Sequence, residues 1–330
     1  MTGSLRRSIE TVAAVAVGGW VVHRMPVAAV LSSWRHLDAG WLLCALGASL
    51  TMLTVRSAKW SQLLTDSGQP RNTTGAVRSL LGSYALGTIT PGRLGDLARC
   101  AFVSGSRRAD VLQLTVLDRM FDMAAVVTFG AASIFLFFSK VGGLLALCLW
   151  AAFCVWVSRR GLGSFEKLGW LPQRVRRSLH GFGEKLRGVQ GERYLGWALA
   201  ASALDLLTLF FLLRAFHAGH LVAAIVAYPL LTMATGLPVS FGGLGPREGL
   251  SAWIFASFSV STGAALNISL LFFAFTLLVP SLVGGVWIVG GGAASWISAA
   301  RQKVNALRPR WESLLPAPDK VIPTVQRELD

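Results

Sequence analysis

The longest apolar tract of the sequence contains one adjacent pair of charged residues. Arg247 and Glu248 are the only Asp, Glu, Lys or Arg between Arg214 and Arg301, and they end a run of Gly and Pro within residues 236–249. A charged side chain at bilayer depth costs about 3 kcal/mol or more and usually marks a pathway or a binding site. Backbone broken by Gly and Pro is tolerated at that depth only where protein or a water-filled cavity satisfies it. The tract therefore indicates a functional element inside a membrane.

Composition supports this interpretation. The chain of 330 residues is 53% hydrophobic and only 14% charged, with a mean hydropathy of +0.56, whereas soluble domains carry about 25% charged residues. Long apolar runs recur along the chain, which predicts an all-α polytopic membrane protein. We expect a single transmembrane domain over residues 1–296 and a polar, partly disordered cytoplasmic tail over residues 297–330.

The net charge of +15 raises the question of nucleic-acid binding. The basic residues cluster in a few loops and in the tail, above all in a hydrophilic loop over residues 158–193. Cytoplasmic loops of membrane proteins carry such an excess of Lys and Arg, and anionic lipid at the cytoplasmic surface attracts it. We therefore expect no nucleic-acid partner and assign this loop and both chain termini to the cytoplasm.

Six apolar segments are predicted to span the membrane as helices. The first follows Arg6 and Arg7 and is similar to a secretory signal peptide, but an uncleaved helix is favoured because many spans follow. Arg56 and Lys59 are expected to close the second span, and Pro280 is expected to kink the sixth. The predicted spans are about Ile9–Val22, Gly40–Val55, Val111–Phe138, Leu144–Val157, Leu195–Phe216 and Ala265–Val289.

Two further pairs of apolar segments are too short to cross about 30 Å of hydrocarbon at 1.5 Å per residue. In the first pair, Leu80–Ile89 and Cys100–Val103 flank a Pro-Gly turn; in the second, Leu221–Leu237 and Leu250–Val260 flank the Gly-rich run. We predict two re-entrant hairpins, and the alternative is a protein of eight full spans. With the basic segments placed in the cytoplasm, residues 5–140 and 141–296 have the same order of elements but opposite orientations in the membrane. This arrangement is an inverted repeat. Interrupted segments at corresponding positions of two inverted halves indicate a transporter's binding site.

The two hairpins carry the candidate binding residues. A short helix that begins after a Gly-rich turn directs free N–H groups and a positive dipole end at its surroundings, and Arg binds phosphate through two N–H groups. We therefore predict a site for a lipid with an anionic head group, in which the nearby acids pair with the Arg residues or exchange protons. The alternative is that these charges only neutralise each other at a membrane boundary. The candidates are Arg93, Asp96, Arg99, Arg247 and Glu248, with the hairpin glycines Gly92, Gly95, Gly242, Gly243 and Gly245.

Two predicted spans contain further charged residues. Arg119 and Asp122 in the third span are i,i+3 neighbours and can pair. They form either a structural ion pair or part of the site, where Asp122 would position Arg93 or Arg99. Asp205 in the fifth span is either a proton carrier or a hydrogen-bonded packing residue. The cysteines and histidines have no metal-ligand spacing, and no nucleophile triad or phosphate-binding loop is present, so we expect no metal, no cofactor and no enzymatic activity.

Three motifs follow one another along the chain: Pro91-Gly-Arg-Leu-Gly-Asp-Leu-Ala-Arg99, Asp118-Arg-Met-Phe-Asp122 and Pro238-Val-Ser-Phe-Gly-Gly-Leu-Gly-Pro-Arg-Glu248. Over about residues 5–295 the sequence resembles the lysylphosphatidylglycerol synthase transmembrane-region family, also called flippase-like integral membrane proteins. The resemblance implies a multi-pass inner-membrane protein of prokaryotes, in a family whose best-understood members move a charged phospholipid between leaflets. It also implies a set of site residues: Arg93, Gly95, Asp96, Arg99, Arg119, Asp122, Gly243, Gly245, Arg247 and Glu248. Phe241 stands where the family usually has a further Pro, and Pro246 occupies a variable position.

The predicted function is that of a lipid translocase, which moves an anionic phospholipid, glycolipid or polyprenyl-phosphate-linked lipid between leaflets. We expect no soluble aminoacyl-transfer domain after the last span, so lipid aminoacylation and a lysyl-lipid substrate do not carry over from the family. One alternative is a non-transporting membrane scaffold whose partners are enzymes of lipid or glycolipid biosynthesis. A membrane-embedded transferase is a less favoured third possibility.

Overall fold

Helices make up nearly all of the structure. The computed structural model describes residues 32–69, 72–103, 108–160, 191–236 and 245–290, and no β-strand occurs among them. The first predicted span, most of the 158–193 loop, the turn of the second hairpin and the tail lie outside these residues. The chain divides into a unit of residues 1–285 and a unit of residues 286–330, and the described part of the second unit is the end of the last helix.

The helices are numbered in chain order. Two 3-10 helices, Trp34–His36 and Pro91–Ala98, and two π-helical turns, Ile134–Phe138 and Ala274–Leu278, precede or join them. The α-helices are α1 Ala39–Asp66, α2 Thr73–Ile89, α3 Arg99–Phe102, α4 Arg108–Ser133, α5 Lys140–Arg160, α6 Gly191–Ala215, α7 Leu221–Thr235, α8 Pro246–Ala256, α9 Thr262–Phe273 and α10 Val279–Gly290.

Four described segments are long and apolar enough to cross a membrane: Ala39–Asp66, Asp110–Leu136, Gly191–Ala215 and Thr262–Ile288. A span needs about 20 residues, and α1, α4, α6 and the continuous helix formed by α9 and α10 meet this requirement. They correspond to the second, third, fifth and sixth predicted spans, and α5 corresponds to the fourth. The prediction of an all-α polytopic membrane protein is confirmed.

Helix α1 is longer than the sequence pattern predicts. Arg56 and Lys59 were expected to close it, and this prediction is wrong: the helix continues to Asp66. Arg and Lys are good helix formers, and the chain leaves the helix only near Gly68, which has a φ of 84°. Both basic side chains therefore lie within the helix, where the surrounding protein must compensate their charge.

The last long helix is irregular at the predicted position. Pro280 lacks the N–H group that would bond to the carbonyl of Thr276, and a proline ring also clashes with the preceding turn. The structure has a π-helical turn at Ala274–Leu278, directly before the proline. Such a turn is one of the usual ways in which a helix accommodates an interruption of its hydrogen bonds.

Helices α1 and α6 pack antiparallel along their lengths. At one end the backbone N–H of Asp38 donates to the carbonyl of Ala215 (3.0 Å). At the other end the Tyr194 hydroxyl donates to the carboxylate of Asp66 (2.6 Å). The middle of α1 therefore faces the middle of α6. The sequence assigns these helices to corresponding positions of its two halves, and an inverted repeat requires such helices to run in opposite directions.

The first hairpin consists of α2, the 3-10 helix Pro91–Ala98 and α3. The first arm begins at Thr73, earlier than the predicted Leu80, and is about 25 Å long; the returning 3-10 helix and α3 together cover about 22 Å. The arms touch where Gly95 packs on the backbone carbonyl of Leu86. The chain thus turns back on itself after a rise shorter than a bilayer core.

The second hairpin has the same general form. Helices α7 and α8 are short, with 15 and 11 residues, and they pack against each other. Residues 237–244, which connect them, lie outside the described part of the chain. The re-entrant character of both hairpins remains a prediction.

Two apolar clusters hold the helices together. One contains Tyr228 of α7 and Phe255 of α8, with residues of α6 and α9. The other contains Trp60 of α1 and Tyr84 of α2, with residues of α4 and Phe273 of α9. The first hairpin is therefore packed between three long helices, and the charged residues of those helices are close to it.

A close contact between α10 and α2 generates a stability prediction. A Cβ atom on Gly284 would lie 2.1 Å from the carbonyl oxygen of Leu81, whereas a Cβ on the adjacent Gly285 would meet nothing within 4 Å. We expect Gly284→Ala to lower the free energy of unfolding by about 1–3 kcal/mol, because a backbone atom cannot move aside easily. Gly285→Ala is the matched control and should be neutral or slightly stabilising. Thermal unfolding of the purified variants in detergent is the measurement, and equal melting temperatures would contradict the packing described.

Candidate functional site

Nine charged side chains lie among α1, α4, α6 and the first hairpin. Ion pairs connect seven of them, and the Arg56–Asp205 pair is linked to these seven through Tyr84. Five are basic and four are acidic, and each lies within ion-pair distance of at least one other member. We call this group the ionic cluster. Its members are Arg56, Lys59, Arg93, Arg99, Arg119, Asp96, Asp118, Asp122 and Asp205.

The inner part of the ionic cluster is sealed from solvent. Asp118 accepts from Arg99 Nη1 (2.6 Å) and lies 2.9 Å from Lys59 Nζ, and the three side chains are only 2–3% exposed. Lys59 also donates to Asp122. The Arg99 guanidinium lies over the Trp60 ring, 4.9 Å from its centroid. These contacts join α1, α3 and α4, and they leave no room for a ligand without a rearrangement.

The outer part of the cluster is more open. One carboxylate oxygen of Asp96, Oδ2, lies 2.7 Å from Arg119 Nη2 and 3.2 Å from Arg93 Nε. Arg119 Nη1 is also 3.7 Å from Asp122 Oδ2. The side chains of Arg93 and Arg119 are 17% and 23% exposed, compared with 2% for Arg99. These two are the most exposed cations of the cluster, followed by Arg56 at 14%, and we call them the accessible arginines.

The local backbone explains how Arg93 and Asp96 come to this position. Arg93 has a φ of 57°, in the left-handed region that non-glycine residues rarely adopt. The tight turn is held by the N–H of Gly95, which donates to the Thr90 hydroxyl (2.6 Å). A Cβ on Gly87 would lie 2.4 Å from Asp96 Oδ1, so only glycine leaves space for this carboxylate. Strained backbone of this kind concentrates at functional sites.

A third part of the cluster lies between α1 and α6. Arg56 Nη2 is 2.7 Å from Asp205 Oδ2, and Arg56 Nη1 donates to the Tyr84 hydroxyl (2.9 Å). The guanidinium of Arg93 lies over the ring of the same tyrosine, 5.5 Å from its centroid, within the range of a cation–π interaction. Tyr84 thus connects Arg93 with the Arg56–Asp205 pair near the middle of α1 and α6, in which Asp205 is buried.

An apolar stripe on α4 runs beside the open part of the cluster. Leu112, Val116, Met120 and Met123 are exposed and recur at spacings of three and four residues, so they share one face of the helix. Arg119 stands three residues after Val116 and four before Met123, at the edge of this face. On a helix that crosses a membrane, the stripe is in contact with lipid acyl chains and the guanidinium lies next to them.

Several buried N–H groups of the accessible arginines have no hydrogen-bond partner within the described part of the chain. They include Nη2 and Nε of Arg93 and Nε of Arg119. Buried polar groups in native structures are nearly always satisfied, and each exception needs an explanation. Unpaired guanidinium N–H groups near a lipid-facing surface can donate to an anionic oxygen.

The second hairpin is built differently. Arg247 pairs with its neighbour Glu248, donates from Nε to the Ser269 hydroxyl (3.1 Å) and lies over the Phe273 ring at 4.5 Å. The other carboxylate oxygen of Glu248 accepts from the backbone N–H of Gly245 (2.6 Å). Both charged side chains are sealed, at no more than 3% exposed. The helix N-terminus that was expected to offer free N–H groups is thus capped from within, and the pair is electrically balanced.

The structure brings most of the predicted site residues together. Arg93, Asp96, Arg99, Arg119 and Asp122 share the ionic cluster, whereas Arg247 and Glu248 form a separate pair. Gly95 supports the first turn, Gly92 lies in the same 3-10 helix and Gly245 has a φ of 97°. Gly242 and Gly243 lie outside the described residues. The i,i+3 pairing of Arg119 with Asp122 is present.

Sequence reasoning missed several members of the cluster. Lys59 and Arg56 were assigned to a helix end, and Asp122 was expected to position Arg93 or Arg99. Asp122 instead contacts Lys59 and Arg119, and it is Asp118 that binds Arg99. One signal was available: no Gly or Pro interrupts the sequence between Lys59 and Gly68, so a helix through the basic pair was possible.

Other ligand sites are less well supported. Among the residues described, no group of three or more His, Cys, Asp or Glu side chains could hold a metal ion. A cavity lined by Trp41, Arg214, His217 and Gly219 lies at the far end of α1 and α6. Its arginine is exposed and lies over the Trp41 ring at 5.0 Å, and this cavity is well separated from the ionic cluster along both helices.

The sealed part of the cluster generates a prediction about Lys59. We expect Lys59→Met to lower the free energy of unfolding by about 3–5 kcal/mol, because removal of one partner leaves buried charge uncompensated. The double variant Lys59→Met/Asp122→Asn should recover part of this loss, since Asp122 depends most on Lys59. Lys140→Met, at an exposed position at the start of α5, is the control. Thermal unfolding in detergent is the measurement, and wild-type stability of Lys59→Met would show that the cluster is not held by this residue.

Comparison with known proteins identifies the family. The model of the family described as "Lysylphosphatidylglycerol synthase TM region" matches residues 8–284, a range that contains all three sequence motifs, both hairpins and the whole ionic cluster. No curated protein matches the chain. The protein therefore belongs to the lysylphosphatidylglycerol synthase transmembrane-region family.

Proposed function

We propose that the protein is a lipid translocase that moves an amphiphile with an anionic head group between leaflets. Membership of a lipid-related membrane family supports this function. The observation that carries the proposal is the open part of the ionic cluster. Arg93 and Arg119 share a single oxygen of Asp96, retain unpaired N–H groups and lie beside the lipid-facing stripe of α4. This arrangement suits a phosphate whose attached chains stay in the bilayer.

The proposed binding mode follows from the chemistry of guanidinium and phosphate groups. Guanidinium groups never lose their charge at physiological pH and bind phosphate oxygens through paired N–H donors. The head group would enter laterally, with its phosphate at Arg93 and Arg119 and its acyl or prenyl chains along Leu112, Val116 and Met120. Arg99 and Arg247 would hold the helices in place in this conformation, because carboxylates already engage both of them.

Movement of the lipid would be downhill or coupled to an ion, since the sequence contains no nucleotide-binding motif. Asp205 is the proposed proton carrier. It is buried in the middle of α6, and one of its carboxylate oxygens has no hydrogen-bond partner in the described residues. Among the described residues its ion-pair partner is Arg56, which also donates to the Tyr84 hydroxyl, and the ring of Tyr84 contacts Arg93.

The proposed setting is the inner membrane of a prokaryote, with both termini and the basic 158–193 loop in the cytoplasm. The positive-inside rule supports this orientation. The antiparallel packing of α1 and α6 is compatible with it, because the two helices start on opposite sides in this scheme. The first hairpin would then open from the cytoplasmic side and the second from the outer side.

The transport proposal predicts the effect of neutralising either accessible arginine. In vesicles of phosphatidylcholine with a trace of fluorescently labelled phosphatidylglycerol, the protein should speed the loss of inner-leaflet label to an external quencher. We expect Arg93→Gln and Arg119→Gln to slow this process at least about tenfold, the effect of losing about 1.4 kcal/mol of interaction. Lys140→Gln, which removes an exposed charge far from the cluster in sequence, should have wild-type activity.

Two results would contradict the proposal. One is full lipid movement by both arginine variants. The other is the absence of any lipid movement by the folded wild-type protein with each class of anionic lipid, which would favour the scaffold function instead.

The orientation is tested by the accessibility of single cysteines in whole cells. In a variant without native cysteines, Asn72→Cys and Ser259→Cys lie at exposed positions after α1 and after α8. We expect a membrane-impermeant thiol reagent to label Ser259→Cys in intact cells and to label Asn72→Cys only after the cells are opened. The reverse pattern would overturn the assigned orientation, and labelling of both from outside would contradict the re-entrant first hairpin.

A further inference from the structure

We infer that the head group bound at Arg93 and Arg119 carries one net negative charge, as a phosphodiester does, and that Asp96 sets this preference. The inference rests on the proposed function, because it concerns the ligand of the same site. It narrows the ligand class from anionic lipids in general to monoanionic phosphodiester lipids. The argument depends on the charge balance of the ionic cluster.

Four of the five cations have an acid of their own. Arg99 pairs with Asp118 and Lys59 with Asp122. In the same way, Arg56 pairs with Asp205 and Arg119 with Asp96. Each acid accepts an N–H group from its cation, so all four are assigned as ionised.

Arg93 is the cation left over. Among the described residues its only ion-pair partner is Asp96, whose Oδ2 is already engaged by Arg119, and Arg93 Nε lies 3.2 Å away without making a hydrogen bond. With five basic and four acidic members, the cluster carries one positive charge in excess. A largely buried charge that only shares its acid with another cation is unfavourable, so the cluster is completed electrostatically by one negative charge.

The position of the excess charge coincides with the unpaired donors. Arg93 stands on the strained turn of the first hairpin, its side chain is 17% exposed, and it shares Asp96 with Arg119, which lies at the edge of the apolar stripe of α4. Nη2 of Arg93 and Nε of Arg119 are both unpaired. A phosphodiester carries one negative charge, which matches the one excess cation, and its two unesterified oxygens can accept from the unpaired donors of the two arginines. The second hairpin does not alter this balance, because Arg247 and Glu248 neutralise each other.

Other head groups fit the cluster less well. A phosphomonoester carries about 1.5 to 2 negative charges at neutral pH, which would leave the filled cluster negative. A zwitterionic head group brings an ammonium group, and every acid of the cluster is already paired with a cation. We therefore expect phosphatidylglycerol to bind better than either phosphatidic acid or phosphatidylcholine.

Competition binding tests this preference separately from transport. The purified full chain in detergent is loaded with fluorescent phosphatidylglycerol at pH 8, where a phosphomonoester is doubly charged because its second pKa is about 6. Unlabelled phosphatidylglycerol, phosphatidic acid and phosphatidylcholine then compete for the site. For the wild type, we expect phosphatidylglycerol to compete at least about fivefold better than phosphatidic acid, and phosphatidylcholine to compete least.

Charge variants should shift the preference in opposite directions. Asp96→Asn raises the excess to two positive charges, so the ratio of phosphatidic acid to phosphatidylglycerol affinity should rise about tenfold. Arg93→Gln removes the excess, so phosphatidylglycerol should lose its advantage over phosphatidylcholine. Asp38→Asn is the control: it makes the same change in net charge at the N-cap of α1, at the other end of the helix, and Asn also caps helices well.

Two results would overturn the inference. One is a wild-type protein that binds phosphatidic acid more tightly than phosphatidylglycerol, or binds all three lipids equally. The other is an Asp96→Asn variant with the wild-type ratio of phosphatidic acid to phosphatidylglycerol affinity. If Asp96→Asn does not fold, Arg93→Gln still decides through its loss of preference for phosphatidylglycerol. If the protein shows the expected lipid preferences in binding but moves no lipid, only the translocase proposal is refuted. A protein that moves lipids without regard to these charges would refute only the present inference.

Discussion

The carboxylate of Asp118 is the contact on which the arrangement of the first half depends. It lies between the ammonium of Lys59 on α1 and the guanidinium of Arg99 on α3, and both cations are almost completely excluded from solvent. Three charges removed from water are tolerated only when each has a close partner. The contact therefore fixes the distance between α1, α4 and the returning arm of the first hairpin. With those elements in place, Arg93 and Asp96 have little freedom.

The two hairpins resemble each other in sequence but differ in electrostatics. The acid that balances Arg247 is the next residue in the chain, so that hairpin is neutral by itself. In the first hairpin, Arg99 depends on Asp118 of α4, and Arg93 shares the hairpin's own Asp96 with Arg119 of α4. The first hairpin thus has its charge balance only within the assembled bundle, and it has one cation more than that bundle provides acids for. This difference is the basis for proposing that the first hairpin binds the ligand and that the second is structural.

The helical fold, the long spans and the positions of the two interruptions could be predicted from the sequence, because charge and Gly-Pro breaks are rare in apolar segments. The pairing within the cluster could not. Arg56 and Lys59 follow an apolar run, and a basic residue there is usually an anchor at the membrane boundary. Their role depends on Asp205 and Asp122, which are distant in sequence and approach only through the antiparallel packing of α1 with α6 and the contact with α4. The similarity of the hairpin motifs also gave no sign that Arg247 would be sealed.

Tyr84 is contacted by two guanidinium groups from different directions. Arg56 bonds to its hydroxyl, and Arg93 covers its ring. The phenol therefore cannot rotate without loss of one of these interactions, and the two arginines cannot move independently of it. A displacement of the first turn that shifts Arg93 is transmitted through one side chain to the Arg56–Asp205 pair. Tyr84 therefore couples the position of Arg93 on the first turn mechanically to that of Arg56 in the middle of α1.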